Sequence, residues 1–171
     1  FCISVAITDE FMRAVELGID YNLINPRTGQ TTGTLNATNV FKAIVAQSWK
    51  TGDPGLVFID TINSDNPTPN LGKIETVTGC AEQALLPYES CNLGSINLAQ
   101  MVKLVDDKHV IDYDKIATTT RTAINFLDNV IDVNHYPIPQ IEEVTKRTRK
   151  IGLGVMGFAD VLVILGIPYD S

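Results

Sequence analysis

Strand-type apolar runs alternate along this chain with capped helical segments, and that alternation confines it to the α/β class. The clearest run is Leu56-Val57-Phe58-Ile59-Asp60, whose unbroken apolar character is that of a strand covered on both faces. Ahead of it, Phe1 to Ile7 reads as an opening strand. Thr8 then caps a helix with Asp9 and Glu10 in its first turn, favoured at the positive end of the dipole, and Gly18 marks its close. Asn22 to Thr34, with Asn25-Pro26 and its Thr-Gly steps, reads as a turn-rich excursion of hairpin type. Thr38 is expected to cap a second helix carrying Val40, Phe41, Ile44, Val45 and Trp49 along one side, until Thr51-Gly52-Asp53-Pro54-Gly55 breaks it.

A loop rich in Asn, Asp and Pro follows from Asn63 to Asn70. Between Glu75 and Glu82 periodicity is lost, as in a loop that presents side chains instead of packing them. Cys91 to Leu98 suits another strand. Asp112 caps a long helix over Tyr113 to Val133 with Ile116, Ala123, Ile124, Leu127, Val130 and Ile131 mostly toward the core. Pro137 and Pro139 end that run and start a shorter helix reaching Lys146, Arg147, Arg149 and Lys150; a Gly-rich strand or turn, Ile151 to Val155, precedes a last helix up to Gly166. No internal repeat is visible.

With 171 residues, 44% hydrophobic and 19% charged, the chain suits one globular domain with a sizeable core. Its formal charge of −7 gives no support to non-specific nucleic-acid binding, which needs clustered Lys and Arg to displace counterions. The longest apolar run, Val161 to Ile167, is far short of the roughly 20 residues that span a bilayer. A start at Phe1 without Met, inside a strand pattern and with no signal peptide, suggests a fragment. Three cysteines and two distant histidines, His109 and His135, match neither a zinc site nor a disulfide scaffold, so a reducing cytoplasm is the simpler compartment.

Chemistry concentrates in Gly79-Cys80-Ala81-Glu82-Gln83 and its continuation to Cys91. Cys80 beside Glu82 admits three readings: an inert half-buried thiol, a polar nucleophile, or a hydrogen-atom carrier. An anionic Glu82 disfavours thiolate and argues against a papain-like site. It suits a reaction in which sulfur abstracts a hydrogen atom while the carboxylate accepts a hydroxyl proton from the same substrate. A cofactor-free thiol oxidoreductase pairing Cys80 with Cys91 is the rival from another class.

The run Cys80-x-Glu82-Gln83-x-Leu85-Leu86-Pro87-Tyr88-Glu89-Ser90-Cys91-Asn92-Leu93-Gly94-Ser95-Ile96-Asn97-Leu98 resembles the active-site segment of the large, catalytic chain of ribonucleotide reductase, most closely its adenosylcobalamin-dependent class. Ile3 to Met12, Thr51 to Phe58, Asp65 to Pro69, Lys150 to Asp160 and Gly166 to Ser171 agree with that family in the same order, so the likeness covers nearly the whole chain. It implies that residues 1–171 are part of a ten-stranded α/β barrel whose central finger loop spans about 75–90, with Cys80 at the tip. It implies reduction of ribonucleotides to deoxyribonucleotides. Cys80 would become the thiyl radical that removes the ribose 3′ hydrogen, and Glu82 would be base to the 3′ hydroxyl. Cys91 would be one of two thiols that reduce the 2′ position, its partner lying upstream of Phe1. Adenosylcobalamin is favoured over a radical from a di-iron partner subunit because the eleven-residue Cys80 to Cys91 spacing and its Leu-Leu-Pro-Tyr-Glu-Ser link resemble that class. The implied partners are the nucleotide, a thioredoxin-like reductant, the remaining segments of the full-length enzyme and a second copy in a homodimer.

The chain departs from the family's Asn-Pro-Cys-Gly-Glu-Gln-Pro loop. Thr78 offers one hydroxyl where Asn has both a carbonyl and an NH₂, and Gly79 replaces a φ-fixing Pro, which raises a third reading, a catalytically impaired fragment. Cys2, where the family usually has Asn, is expected to be a buried core thiol. Gly152-Leu-Gly154-Val-Met-Gly157 satisfies a dinucleotide fingerprint, but it follows a charged helix end, and its glycines are expected to serve close packing. Lys146 to Lys150 is expected to be a solvated group that complements the helix dipole.

Overall fold

The computed structural model describes residues 2–171, so the Phe1 end of the expected first strand lies outside the described residues. The chain forms two compact units, Phe1–Pro87 and Tyr88–Ser171.

In the first unit, β1 (Ser4–Ile7) pairs in parallel with β4 (Gly55–Phe58), Ser4 opposite Gly55 and Ile7 opposite Phe58. Between them run α1 (Asp9–Leu17), a hairpin of β2 (Asp20–Ile24) and β3 (Thr31–Asn36), and α2 (Ala37–Thr51). Thr8 caps α1 as expected: its hydroxyl accepts from the Phe11 amide at 3.1 Å, and Gly18 closes the helix at φ 69°, where only glycine is unstrained. Phe11, Ala14 and Val15, spaced by three and four, turn one face of α1 inward. Phe11 and Ala14 join Ile7 and Ala37 in a buried cluster, and Phe11 meets Tyr21 edge-on at 5.0 Å.

Several expectations in this unit are corrected. The excursion expected over Asn22 to Thr34 is a wider hairpin, pairing Asp20 with Asn36 and turning at Asn25, whose side chain accepts from the amides of Arg27 and Thr28. The cap of α2 is Asn36, accepting from the Asn39 amide at 3.2 Å. Thr38 instead lies inside the first turn and donates its hydroxyl to the Val15 carbonyl at 3.1 Å, tying α2 to α1. Val45 and Trp49, expected on the packed face, are exposed, Trp49 by 89%. Finally, β4 ends at Phe58, because Ile59 and Asp60 open α3 (Ile59–Ser64), where Asp60 accepts from the Asp9 amide at 2.9 Å. Among the described residues β4 pairs only with β1 and only Val57 of its residues is buried, so the expected cover on both faces is not present there.

The second unit follows a similar plan. β7 (Asn92–Asn97) pairs in parallel with β10 (Ile151–Met156), Asn92 opposite Ile151. Between them lie a hairpin of β8 (Val102–Val105) and β9 (Lys108–Ile111), then α4 (Tyr113–Val133) and α5 (Pro139–Thr148); α6 (Phe158–Leu165) follows β10. Asp112 caps α4 through the Lys115 amide, and Leu127 and Ile131 are its buried residues, whereas Ile124 is partly exposed. The β8–β9 hairpin went unread in the sequence. Its turn holds Asp106 and Asp107 at φ 49° and 59°, the two consecutive left-handed residues a tight hairpin demands.

The α/β class stands, with five two-stranded sheets among the described residues and no closed barrel. No helix of the described residues is long and apolar enough to cross a membrane. The glycine-rich run also behaves as packing. Gly152 and Gly154 lie within β10, not after it, and a Cβ on Gly152 would strike the Leu93 side chain. Gly157, at φ 70°, would place a Cβ 2.5 Å from Asn97 Oδ1. A dinucleotide loop needs its glycines at the turn between strand and helix, so the fingerprint match has no binding geometry.

Candidate functional site

The loop expected to lack periodicity is a small hairpin. β5 (Thr76–Val77) pairs antiparallel with β6 (Ala84–Leu85), leaving residues 78–83 as its tip. Thr78 closes the neck: its amide donates to the Gln83 carbonyl at 2.9 Å, its carbonyl accepts from the Ala81 amide at 2.9 Å, and its hydroxyl accepts from the Gln83 amide at 3.1 Å. Ala81 takes the left-handed turn position at φ 62°. Cys80 and Glu82 sit on this tip, both exposed.

Glu82 folds back over the tip, its carboxylate accepting from the Cys80 amide at 3.0 Å. Its own backbone amide, the Thr78 side chain and the Cys80 amide hold the Glu82 carboxyl below the ordinary carboxylate range against a small desolvation cost. The group is therefore ionised at neutral pH and able to accept a proton. Thr78 thus contacts both Gln83 and Glu82, so one hydroxyl shapes the tip and tunes the acid. Among the described residues Cys80 is exposed, and its backbone amide donates to the Glu82 carboxylate.

Cys2 is a correction. It is exposed, not a core thiol, because it precedes the point where β1 begins to pair and lies alongside the hairpin tip. Cys80 pushes the Cys2 thiol above its ordinary range, and Cys2, Thr78 and Gly79 line one cavity of about 350 Å³.

Cys91 belongs to the second unit, at the entry to β7, and is partly buried. Its surroundings are held by polar contacts. Lys150 pairs with Glu89 at 2.7 Å, with the Glu89 side chain fully buried. Ser90 and Thr145 hydroxyls meet at 2.8 Å, and Asn92 donates to the Leu127 carbonyl at 3.0 Å. A cavity of about 170 Å³ opens here, lined by Cys91, Asn92, Ile131, Asn134, Tyr136 and Thr145. This supporting set was missed in the sequence. Its signal was available: Glu89 is the sole charged residue between Glu82 and Lys103, and a lone carboxylate in an apolar run asks for a buried partner.

The basic group is likewise more than a solvated helix end. Arg149, in the left-handed conformation at φ 47°, donates to Asp128 and to both oxygens of Asp132, holding both carboxyls below their ordinary range, while Lys146 pairs with Glu142. Among the described residues no cluster of three His, Cys, Asp or Glu could hold a metal ion.

Comparison with known proteins places this geometry. The family described as "Ribonucleotide reductase, barrel domain" matches residues 1–171. The chain is 53% identical to the vitamin B12-dependent ribonucleoside-diphosphate reductase of Thermoplasma acidophilum over all of this chain and 22% of that protein. It is also 53% identical to the protein of the same name in Mycobacterium tuberculosis, over all of this chain and 24% of the relative. The ribonucleoside-diphosphate reductase large subunit of Danio rerio is 29% identical over 96% of the chain and 24% of its own length. The chain therefore spans less than a quarter of the length of these curated relatives.

Proposed function

Because this chain belongs to the ribonucleotide reductase barrel-domain family, we propose that it carries the radical-bearing loop of a reductase converting ribonucleotides to 2′-deoxyribonucleotides. In this reading residues 1–171 are a portion of the catalytic barrel domain and residues 75–90 its central finger loop. The supporting observation is the tip geometry: an exposed Cys80 sulfur on a hairpin whose carboxylate, Glu82, is hydrogen-bonded to the Cys80 amide and ionised at neutral pH.

Each group then has one task. The Cys80 sulfur, as a thiyl, takes the 3′ hydrogen atom of the ribose and later returns it. Glu82 accepts the proton of the 3′ hydroxyl, which eases loss of the 2′ hydroxyl as water. Cys91 is one of two thiols that deliver the reducing electrons at the 2′ position and finish as a disulfide, reopened by a thioredoxin-like dithiol. Thr78 is a positioning residue, holding Glu82 and the neck of the hairpin. The names of the relatives at 53% identity favour a ribonucleoside diphosphate substrate and adenosylcobalamin. That cofactor, when bound, supplies the initiating radical. What these residues offer it is an accessible sulfur to oxidise, and no side-chain cluster that would ligate its metal is found among the described residues. Association of two full-length copies is part of the same reading.

The test is turnover of ribonucleoside diphosphate by the full-length enzyme supplied with adenosylcobalamin and a dithiol. Cys80→Ser should abolish deoxynucleotide formation, and Glu82→Gln should lower kcat with little change in KM, since the proton acceptor acts on the reacting hydroxyl. Undiminished turnover in Cys80→Ser would end the proposal.

A further inference from the structure

The polar residues around Cys91 are each tied to a different element of the second unit: Glu89 to Lys150 ahead of β10, Ser90 to Thr145 of α5, and Asn92 to the Leu127 carbonyl of α4. We propose that Glu89, Ser90 and Asn92 are a three-point mount that fixes the direction of the Cys91 side chain for disulfide closure, which makes Lys150 and Thr145 positioning residues of the reducing step. This rests on the reading of Cys91 as a reducing thiol and extends it, because that reading assigns no task to the side chains around it.

Three observations carry it. The first is burial. The Glu89 side chain has no exposed surface and Thr145 is 2% exposed, so these ties are sealed by the unit's own atoms, and further chain could only cover them more. The second is composition: Leu85 and Leu86, just upstream, are buried apolar residues, and the chain turns polar only where it reaches the thiol. Packing does not ask for that change. A buried ion pair replaced by apolar residues of similar volume is often as stable or more so, whereas hydrogen bonds fix a distance and an angle that apolar contact does not. Third, Tyr88 bends the chain into the mount at φ 61°, a left-handed position that is uncommon for a bulky aromatic residue and holds only where the surroundings over-determine it.

Direction matters because the chemistry at this sulfur is exacting. An S–S bond forms only with Cβ atoms about 3.5–4.5 Å apart and a torsion of roughly 90° about the sulfurs. Each turnover takes two thiols. One thiol hydrogen ends on the 2′ carbon, the other leaves with the 2′ hydroxyl as water, and the two electrons given up leave an S–S bond between the sulfurs. A dithiol then reopens that bond by exchange, so Cys91 must return to the same place in every cycle. Ser90 and Asn92, pinned to α5 and α4 on its two sides, hold its backbone through that cycle. The Glu89–Lys150 pair holds the approach to β7 against the start of β10.

The experiment uses the full-length enzyme, fully reduced and then treated with diamide in the absence of nucleotide and cofactor, with samples alkylated over time and analysed by mass spectrometry for disulfide at Cys91. Two double variants remove ties without leaving an unpaired buried group: Ser90→Ala with Thr145→Val, and Glu89→Leu with Lys150→Met. Each should melt close to the parent protein yet close the Cys91 disulfide about tenfold more slowly or worse, the scale of penalty for misplacing a reacting atom by about an ångström. Lys150→Arg, which keeps a cation against Glu89, should close at nearly the parent rate. Closure at the parent rate in either double, slowing in Lys150→Arg equal to that of the double, or a fall in melting temperature that accounts for the slowing would overturn the mount. No disulfide at Cys91 even in the parent protein would defeat the reading of Cys91 as a reducing thiol, and the mount with it, an outcome that failure of the mount alone does not produce.

Discussion

Replacing Lys150 by Met removes the cation from a carboxylate whose side chain is entirely buried, while keeping the length and apolar stem of the original. Glu89 and Lys150 meet at 2.7 Å, and Lys150 retains 18% exposure. Breaking a fully buried pair costs roughly 3–5 kcal/mol, because an uncompensated charge remains in a low-dielectric site. The lysine's partial contact with water favours the lower end, about 3 kcal/mol. At about 1.4 kcal/mol per tenfold, that is roughly a 150-fold rise in the local opening of the segment that leads into β7. Hydrogen exchange with mass spectrometry on the full-length enzyme reads this directly, as faster exchange of the β7 amides in Lys150→Met. A second variant separates a buried unpaired charge from a mere loss of packing. Adding Glu89→Leu to Lys150→Met should recover most of the protection, because the double change leaves no charge behind. If the double variant exchanges as fast as the single, or the single exchanges like the parent protein, the reasoning about this pair is wrong.

Other outcomes follow from the same geometry. Gly157→Ala should destabilise by about 1–3 kcal/mol, because φ 70° strains alanine and its Cβ would crowd Asn97 Oδ1, itself bonded to the Ala99 amide. Gly152→Ala, which meets only the flexible and half-exposed Leu93 side chain at ordinary strand dihedrals, should cost less; thermal melting of the two variants compares them. Glu82 has a folded-state pKa below its ordinary value, so its support of the tip is fully present above the ordinary carboxylate pKa and is lost as pH falls through the lowered one. A carboxyl NMR titration with Glu82 labelled should show a midpoint below that of a model glutamate, and a midpoint at or above it would refute the assignment. Thr78→Asn in the full-length enzyme should raise turnover, since Asn adds an NH₂ donor to the acceptor Thr78 already provides; equal turnover in both forms would remove that role.

Much of the fold was legible because helix boundaries are local. Thr8, Gly18, Asp112 and Gly166 act through partners within a few residues, and each sits at the helix end its chemistry predicts. The exception shows the limit. Thr38 and Asn36 are both acceptable caps by composition, and the choice went to Asn36 because Thr38 is drawn into a bond with Val15 on the preceding helix, 23 residues away. The β8–β9 hairpin was missed for a different reason: Asp106-Asp107 lacks the glycine that usually marks two left-handed residues in succession. At the site, the residue types of Cys80, Glu82 and Cys91 were visible at once, whereas the contacts that give them character were not.

By itself, then, the sequence determined which elements form, where most of them stop, and which side chains are chemically able to act, since dihedral preferences, caps and functional groups travel with the residue. Tertiary structure alone decided that Cys2 lies exposed alongside Thr78 and Gly79 instead of in a core, that Thr38 bonds the Val15 carbonyl, and that Glu89 is buried with Lys150. Those outcomes turn on parallel pairing and loop closure across tens of residues, where the free energy depends on which surfaces meet and no short stretch of chain contains both partners.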